Sequence, residues 1–334
     1  MTDTGPLASG TEITEDLTLD GDIRCGAGPA IIVAADNLTL DLGGHSVTGE
    51  PAATDRGPGI LLRRVSGATI RNGTVRHFDA GVVIDGGSGN VLENLTVEDN
   101  VGYPDGELGD GIVINESQGN HIRRNVVRRN GPFSGISLGP RAQRNDIRDN
   151  TVADHDMSHL GDSGAGGQDM GIRVEGPEAN HNSIVGNTVT GSGGDGIVVL
   201  ATCDDMDAEP PCVGTPPNER NDIVGNTAND NGRSGRGSGI RLFSMPLPMP
   251  PVHNVVRDNV ADDNAWYGIA IDGLPLGSPG NTAIGNRAHR NGEFDGSDGT
   301  LMPPCGRNVW DGNDFGTVNQ PGVSYNSQSA PEPE

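Results

Sequence analysis

Lysine is absent from this chain of 334 residues, in which the 22 Lys and Arg positions are all occupied by arginine. Aspartate and glutamate together number 46, so the formal net charge at pH 7 is -24. Binding to nucleic acid requires basic side chains that neutralise phosphates, and the sequence contains no basic stripe that could do so. We therefore expect no nucleic-acid partner.

Aromatic residues are also scarce: they make up 3% of the chain, and hydrophobic residues make up 33%. This composition cannot fill the wide core that two or three ordinary domains would need. Ile, Val and Leu nevertheless recur at regular places, which argues against disorder. The sequence therefore predicts a core that is narrow and long.

Long apolar runs are missing, so no segment is expected to span a membrane and no membrane partner is predicted. The first ten residues, MTDTGPLASG, have neither the basic start nor the apolar stretch of a secretory signal. We expect either a cytoplasmic protein or the mature form of an exported one. Cys203 and Cys212 flank a short acidic loop. We predict a disulfide between them, because closing that loop would restrict the unfolded chain.

A glycine followed by a short apolar run recurs along the chain. The runs are GILL from Gly59, GVVI from Gly81, GIVI from Gly111, GISL from Gly135, GIRV from Gly171, GIVV from Gly196, GIRL from Gly239 and GIAI from Gly268. Their varied intervals indicate a short repeating unit that carries insertions of different length. Each run has the length and alternation of a β-strand.

Asparagine returns at a spacing of five residues after several of these runs. The sets are Asn120, Asn125 and Asn130; Asn221, Asn226 and Asn231; Asn254, Asn259 and Asn264; and Asn281, Asn286 and Asn291. A coil of three short strands would bring each asparagine to the same bend in every turn. Stacked carboxamides could then satisfy turn backbone groups that would otherwise be buried without partners.

The two patterns together predict an all-β fold, a single-stranded right-handed parallel β-helix of about nine coils, with successive strands about 4.8 Å apart. One layer of Ile, Val and Leu side chains per strand would form its interior. We expect residues 1–30 to form an N-terminal cap over the open sheet edge, residues 31–318 to form the helix, and residues 319–334 to form a polar, disordered tail.

Three stretches carry a resemblance to a known group: TEITEDLTLDGDIRCGAG, ADNLTLDLGGHSVTG and CGRNVWDGNDFGTVNQP. With the repeats between them, they resemble actinobacterial right-handed parallel β-helix repeat proteins, within the superfamily of pectate lyases, uronan epimerases and polygalacturonases. The resemblance covers almost the whole chain and implies the fold, whereas the superfamily includes lyases, hydrolases, isomerases and binding proteins. It also implies paired cysteines near each end, but Ser9 and Gly322 stand where partners of Cys25 and Cys305 are expected.

Strand alternation predicts which side chains form a site. The second and fourth residues of each run point inward, so the third and fifth face outward on one continuous sheet. Long insertions flank this column of strands and would wall a trough, in which the resembled enzymes bind sugar polymers. We assign catalytic roles to Arg173 and Arg241, and substrate binding to Glu175, Asp195, Phe243, Asp272 and the stacking rings of Trp266 and Tyr267.

The insertion at 151–170 carries most of the remaining candidates. His155 and His159 titrate near neutral pH and are assigned proton transfer, together with Tyr103 from the preceding insertion. A solvated acidic loop is the alternative interpretation of this insertion. The carboxylates of this insertion are assigned as Ca²⁺ ligands, because they supply hard oxygen atoms: Asp154, Asp156, Asp162 and Asp169.

The leading functional prediction is an enzyme that acts on an acidic, uronate-containing polysaccharide by β-elimination or C5 epimerisation. Both reactions remove the proton next to a carboxylate, which arginine or a metal ion must neutralise. The missing lysines exclude the resembled lyases that use a lysine base. The acidic chain repels a polyanion at long range unless Ca²⁺ bridges the two.

Three alternatives stay open. Hydrolysis would need two or three carboxylates facing one glycosidic bond. An intracellular isomerase or cyclase of a small metabolite could use the same trough, as could a non-catalytic carbohydrate-binding protein. No organic cofactor is predicted, and the sequence indicates neither the oligomeric state nor the substrate.

Overall fold

The computed structural model describes residues 8–26, 28–50, 56–102, 109–155, 169–202, 216–244, 250–273, 278–299 and 308–324. The chain winds as a parallel β-helix, and every strand pairs with strands of neighbouring coils. The first sheet has 11 strands, here numbered in chain order: β1 (Thr11–Ile13), β4 (Ile31–Val33), β7 (Pro58–Arg63), β9 (Ala80–Asp85), β11 (Asp110–Asn115), β14 (Ser134–Leu138), β17 (Met170–Glu175), β20 (Ile197–Ala201), β23 (Ile240–Ser244), β25 (Tyr267–Gly273) and β28 (Phe294–Asp298).

The other strands form two further parallel faces that complete each coil. One face holds β2 (Leu17–Thr18), β5 (Thr39–Asp41), β8 (Thr69–Arg76), β10 (Val91–Glu98), β12 (His121–Arg123), β15 (Asp146–Arg148), β18 (Ser183–Val185), β21 (Asp222–Val224), β24 (Val255–Arg257), β26 (Thr282–Ile284) and β29 (Val309–Asp311). The other holds β3 (Ile23–Arg24), β6 (Ser46–Thr48), the ends of β8 and β10, β13 (Val126–Arg128), β16 (Thr151–Ala153), β19 (Thr188–Thr190), β22 (Thr227–Asn229), β27 (Arg287–Ala288) and β30 (Asp314–Phe315).

The core is a narrow column of aliphatic side chains, as the composition predicts. The inward positions of the first sheet are fully buried in coil after coil, for example Ile112 and Ile114 on β11 and Ile172 and Val174 on β17. Phe78 is an aromatic side chain at the edge of this column, 2% exposed. Aliphatic side chains, one layer per strand, thus form most of the interior.

Asparagine side chains stack along the axis at the bends, which confirms the predicted ladders. Asn187 is representative: its Oδ1 accepts hydrogen bonds from the backbone N–H and Nδ2 of Asn150, one coil before. Its Nδ2 donates to Ile147 O and to Oδ1 of Asn226, one coil after. Each rung therefore satisfies a buried turn in one coil and the next rung at the same time.

The predicted ends of the helix need correction. Residues 11–24, inside the segment predicted as a cap, already form β1, β2 and β3, which pair in parallel with the following coil. The predicted tail is partly folded, because Pro321–Ser324 form a 3-10 helix and Val323 is 1% exposed within the core. Cys25 is a buried free thiol, and burial raises its pKa.

Among the described residues, no helix is long and apolar enough to cross a membrane. The 3-10 helix at Pro321–Ser324 has only 4 residues. The predicted pair Cys203 and Cys212, and Cys305, lie outside the described residues.

Candidate functional site

The outward third positions of the first sheet form one straight file of side chains, as predicted. Arg173 on β17 pairs in register with Val198 on β20, and Val198 pairs with Arg241 on β23. The two arginines therefore lie two strand spacings apart on the same face, about 9.6 Å along the axis. Their shared file defines the floor of the candidate site.

Asp110 belongs to the same face, although strict alternation from Ile112 would point it inward. The inward–outward alternation breaks at Gly111, where an added Cβ would lie 2.6 Å from both Gly135 O and Val127 Cγ1 in the interior. Only glycine can turn its Cα toward the core so closely. Asp110, directly before this glycine, therefore lies on the outer face, where it lines a depression.

Asp110 lies beside Arg173 and Glu175 in a shallow depression of about 210 Å³. The carboxyl of Asp110 is 4% exposed, and burial raises its pKa to about 6 against the opposing charge of Arg173 and the influence of Ser134. Within the described residues, Oδ1 of Asp110 has no hydrogen-bond partner. A buried carboxyl that titrates near neutral pH at a depression is suited to proton transfer.

The guanidinium of Arg173 is held from two sides. Its Nε lies 2.9 Å from Oε2 of Glu175, and its Cζ lies 5.3 Å from the ring centroid of Phe133. Arg173 also lines the depression, with its side chain 14% exposed. Arg173 can therefore bind an anionic group while Glu175 fixes its orientation.

Arg241 forms a second, more enclosed charged centre. Its Nε and Nη2 each lie 3.0 Å from a carboxylate oxygen of Asp272, and Nη1 lies 3.8 Å from Oδ2 of Asp195. Burial raises the pKa of both carboxyls, and Arg241 opposes that rise. The Arg241 guanidinium also stacks over Phe243, 3.9 Å from its ring centroid.

Two half-exposed aromatic rings border this second centre. Trp266 and Tyr267 stack with their ring centroids 4.2 Å apart, and Nε1 of Trp266 donates a hydrogen bond to Glu293. Burial and the charges of Glu293 and Asp272 raise the pKa of Tyr267, so its phenol stays protonated at neutral pH. Tyr267 is thus suited to donate hydrogen bonds to a ligand.

His155 does not line the trough, and its assignment to proton transfer needs correction. The side chain is fully buried in an asparagine ladder, where Nδ1 accepts from the backbone N–H of Asn130 at 3.2 Å and Nε2 lies 3.2 Å from Val127 O. Burial lowers its pKa, which favours the neutral ring. His155 occupies the position of an asparagine and supplies the same acceptor and donor.

Two of the four predicted calcium ligands lie in the described residues. Asp154 lies at a bend with its Oδ1 2.9 Å from Nη1 of Arg233, and Asp169 is buried directly before β17. Within the part of the chain that the structure describes, no three His, Cys, Asp or Glu side chains are placed to hold a metal ion. Calcium binding stays a prediction, and the other candidates lie outside the described residues: Tyr103, Asp156, His159 and Asp162.

Comparison with known proteins agrees with this architecture. A sequence profile described as a right-handed β-helix region matches residues 34–176. The protein is a right-handed parallel β-helix. No match was found among curated proteins.

Solved structures of other β-helices share this fold at low sequence identity. The A-module of the mannuronan C-5 epimerase AlgE6 from Azotobacter vinelandii superposes with a TM-score of 0.57 at 15% identity, over 94% of this chain and 88% of that one. Pectate lyase Pel9A gives a TM-score of 0.58 at 14% identity, over 90% and 71%. A tailspike double mutant of E. coli bacteriophage HK620, in complex with a pentasaccharide, gives 0.56 at 12% identity, over 92% and 59%. These likenesses establish the fold alone, and the actinobacterial origin stays a prediction.

Proposed function

We propose that this β-helix is a carbohydrate-active enzyme that binds a uronate-containing saccharide at Arg173 and transfers a proton through Asp110. The observation that carries the proposal is the buried carboxyl of Asp110, with its pKa raised to about 6, at a depression that also contains Arg173. The fold shared with an epimerase and a pectate lyase supports the same substrate class.

The chemistry follows from the charges at the depression. The terminal nitrogens of Arg173 bind the carboxylate of the sugar and stabilise the negative charge that develops when the adjacent C5 proton leaves. Asp110 is largely ionised at neutral pH and accepts that proton. A proton delivered from solvent to the opposite face of C5 gives the epimer. Alternatively, the electron pair left at C5 forms a C4–C5 double bond as the C4–O glycosidic bond breaks, and solvent protonates the departing oxygen, which gives an unsaturated sugar.

A second candidate is glycoside hydrolysis, because two carboxyl groups line the same depression. Asp110, with its raised pKa, would protonate the leaving oxygen, and Glu175 would act as the second carboxylate. Hydrolysis creates new reducing ends without an unsaturated product, so the two candidates differ in what they release.

The test is incubation with polygalacturonate and polymannuronate, each with Ca²⁺ and with a chelator. Ultraviolet absorbance detects elimination, solvent deuterium at C5 detects epimerisation, and a reducing-end assay detects hydrolysis. We expect Asp110→Asn and Arg173→Gln to abolish turnover, while Arg290→Gln, which alters an exposed ion pair with Asp263, leaves it unchanged. Absence of turnover and of binding for every polymer would contradict the proposal.

A further inference from the structure

The outer face of the first sheet is covered from β7 to β28. Its outward third positions form one file that stays in register through these strands. In this file Arg173 and Arg241 have side chains that are 14% and 15% exposed. The other members are each at most 8% exposed: Leu61, Val83, Val113, Ser137, Val198, Ala270 and Ser297. A sheet face that is open to solvent would leave outward side chains such as these largely in water.

A neighbouring face of the same coil provides the contrast. Val113 on β11 and Val126 on β13 both point outward, but Val113 is 4% exposed and Val126 is 37% exposed. The two residues are of the same type and lie in the same coil, so neither residue type nor position along the axis explains the difference. The outer face of the first sheet is thus closed where the face formed by β13 is open.

Two apolar clusters lie on this covered face. One cluster is on β7, β9 and β11, and its members are Leu61, Ala80, Val83 and Val113. The other is on β17, β20 and β23, and its members are Met170, Val198, Leu200 and Phe243. Each unit of a saccharide carries hydroxyl groups that need hydrogen-bond partners, and apolar side chains supply none. The face is therefore unsuited to an extended saccharide in either direction along the axis.

The depression that contains Arg173 lies between the two clusters, and it is polar and small. Its polar lining comes from β11, β14, β17 and the residue after β20: Asp110, Asn115, Ser137, Arg173, Glu175 and Thr202. Its volume is about 210 Å³, whereas sites for drug-sized ligands have about 300–1,000 Å³. This volume suits one sugar unit rather than several.

We propose that the depression holds one terminal uronate unit, so that the enzyme acts at the end of a chain or on a short saccharide. This inference rests on the proposed function, in which Arg173 binds the carboxylate of that unit and Asp110 transfers the proton. The rest of a longer chain leaves the depression toward solvent. Internal units of a polymer do not enter, because both of their neighbours would have to lie over the apolar clusters.

The experiment measures how affinity depends on chain length. Calorimetry on the wild type compares galacturonate monomer and hexamer at equal concentrations of chains, and we expect their dissociation constants to agree within about threefold. An open groove would instead add contacts with each further unit, so the hexamer would bind about tenfold more tightly or better.

A pair of matched variants tests where the unit binds. Ser137→Leu fills part of the depression and should weaken monomer binding by about tenfold or more. Ser297→Leu makes the same change in the same file, five strand spacings or about 24 Å away, and should leave binding unchanged. Undiminished affinity in a folded Ser137→Leu variant would overturn the placement of the unit. If that variant does not fold, the comparison of chain lengths on the wild type decides.

The outcomes separate this inference from the proposed function. A hexamer that binds more than about threefold more tightly than the monomer would overturn the inference, and turnover of uronates would still support the proposed function. Equal binding of monomer and hexamer without turnover of any polymer would support the size of the site and contradict the proposed enzyme. No binding of any uronate would overturn both.

Where polygalacturonate is cleaved, its viscosity gives a check that needs no variant. Attack at chain ends should release product early with little loss of viscosity. An early fall in viscosity would show internal cleavage and overturn the inference, while leaving the proposed function intact.

Discussion

The ionised carboxyl of Asp110 lowers the free energy of unfolding at neutral pH. Its pKa is raised from 3.8 to about 6 by burial, so the folded state holds the proton more tightly than the unfolded chain does. The free energy of unfolding therefore falls as the pH rises from about 4 to about 6, by up to about 3 kcal/mol through this group. A fold that tolerates this loss at one outward position is typical of a functional site.

Replacing this carboxyl should change the pH dependence of stability. The variant Asp110→Asn cannot ionise, so its free energy of unfolding relative to wild type should rise between pH 4 and pH 7, by up to about 3 kcal/mol. Urea unfolding at several pH values measures the difference, with Asp258→Asn at an exposed bend as the control. A constant difference across this pH range would show that Asp110 is ionised throughout.

Backbone conformation at the bends gives a second residue-scale prediction. Gly225 has φ 64° and open space around its Cα, whereas Gly21 has equally open space without a positive φ. Gly225→Ala should therefore reduce the free energy of unfolding by about 1 kcal/mol through backbone strain alone. Gly21→Ala should be neutral or slightly stabilising, and thermal unfolding of the two variants checks both signs. Equal effects would contradict the strain argument.

The asparagine ladder links each coil to the next at its bends. Removing the Asn187 carboxamide leaves the backbone N–H and Nδ2 of Asn150 without this acceptor and Ile147 O without this donor. Oδ1 of Asn226 keeps only the bond from the backbone N–H of residue 187, and all these groups lie in the interior. We expect Asn187→Ala to lower the free energy of unfolding by about 3 kcal/mol or more. Asn313→Ala, at the half-exposed last rung, should cost only about 1 kcal/mol because water can replace its bonds. Comparable losses at both positions would contradict this argument from burial.

The same elements show which predictions the sequence supports. The register of the Gly-Ile/Val runs follows from local alternation, so the file from Arg173 to Arg241 could be predicted. His155 could have been recognised as a ladder residue, because it continues the spacing of five set by Asn145 and Asn150. The interaction of Asp110 with Arg173 could not be predicted, because it depends on the broken alternation at Gly111 and on a side chain that reaches across two strand spacings.

At the scale of the whole molecule, one physical reason explains why the fold can be predicted from the sequence and the site cannot. Each coil contacts its neighbours, so a repeated local rule builds the entire column. The candidate site joins residues from different coils, Asp110 on β11, Arg173 on β17 and Arg241 on β23, and no repeat specifies which outward positions become charged. The insertions that flank the trough vary from coil to coil for the same reason.

The net charge sets the last prediction, because a protein of charge -24 and a polyuronate repel each other before they meet. Salt screens this repulsion with a Debye length of about 30 Å at 0.01 M and about 8 Å at 0.15 M. Stopped-flow association of a galacturonate hexamer should therefore become severalfold faster as salt rises over this range, while a neutral xylose hexamer serves as the control. Slower association at high salt would mean that Arg173 and Arg241 dominate the field at the trough despite the acidic surface around them.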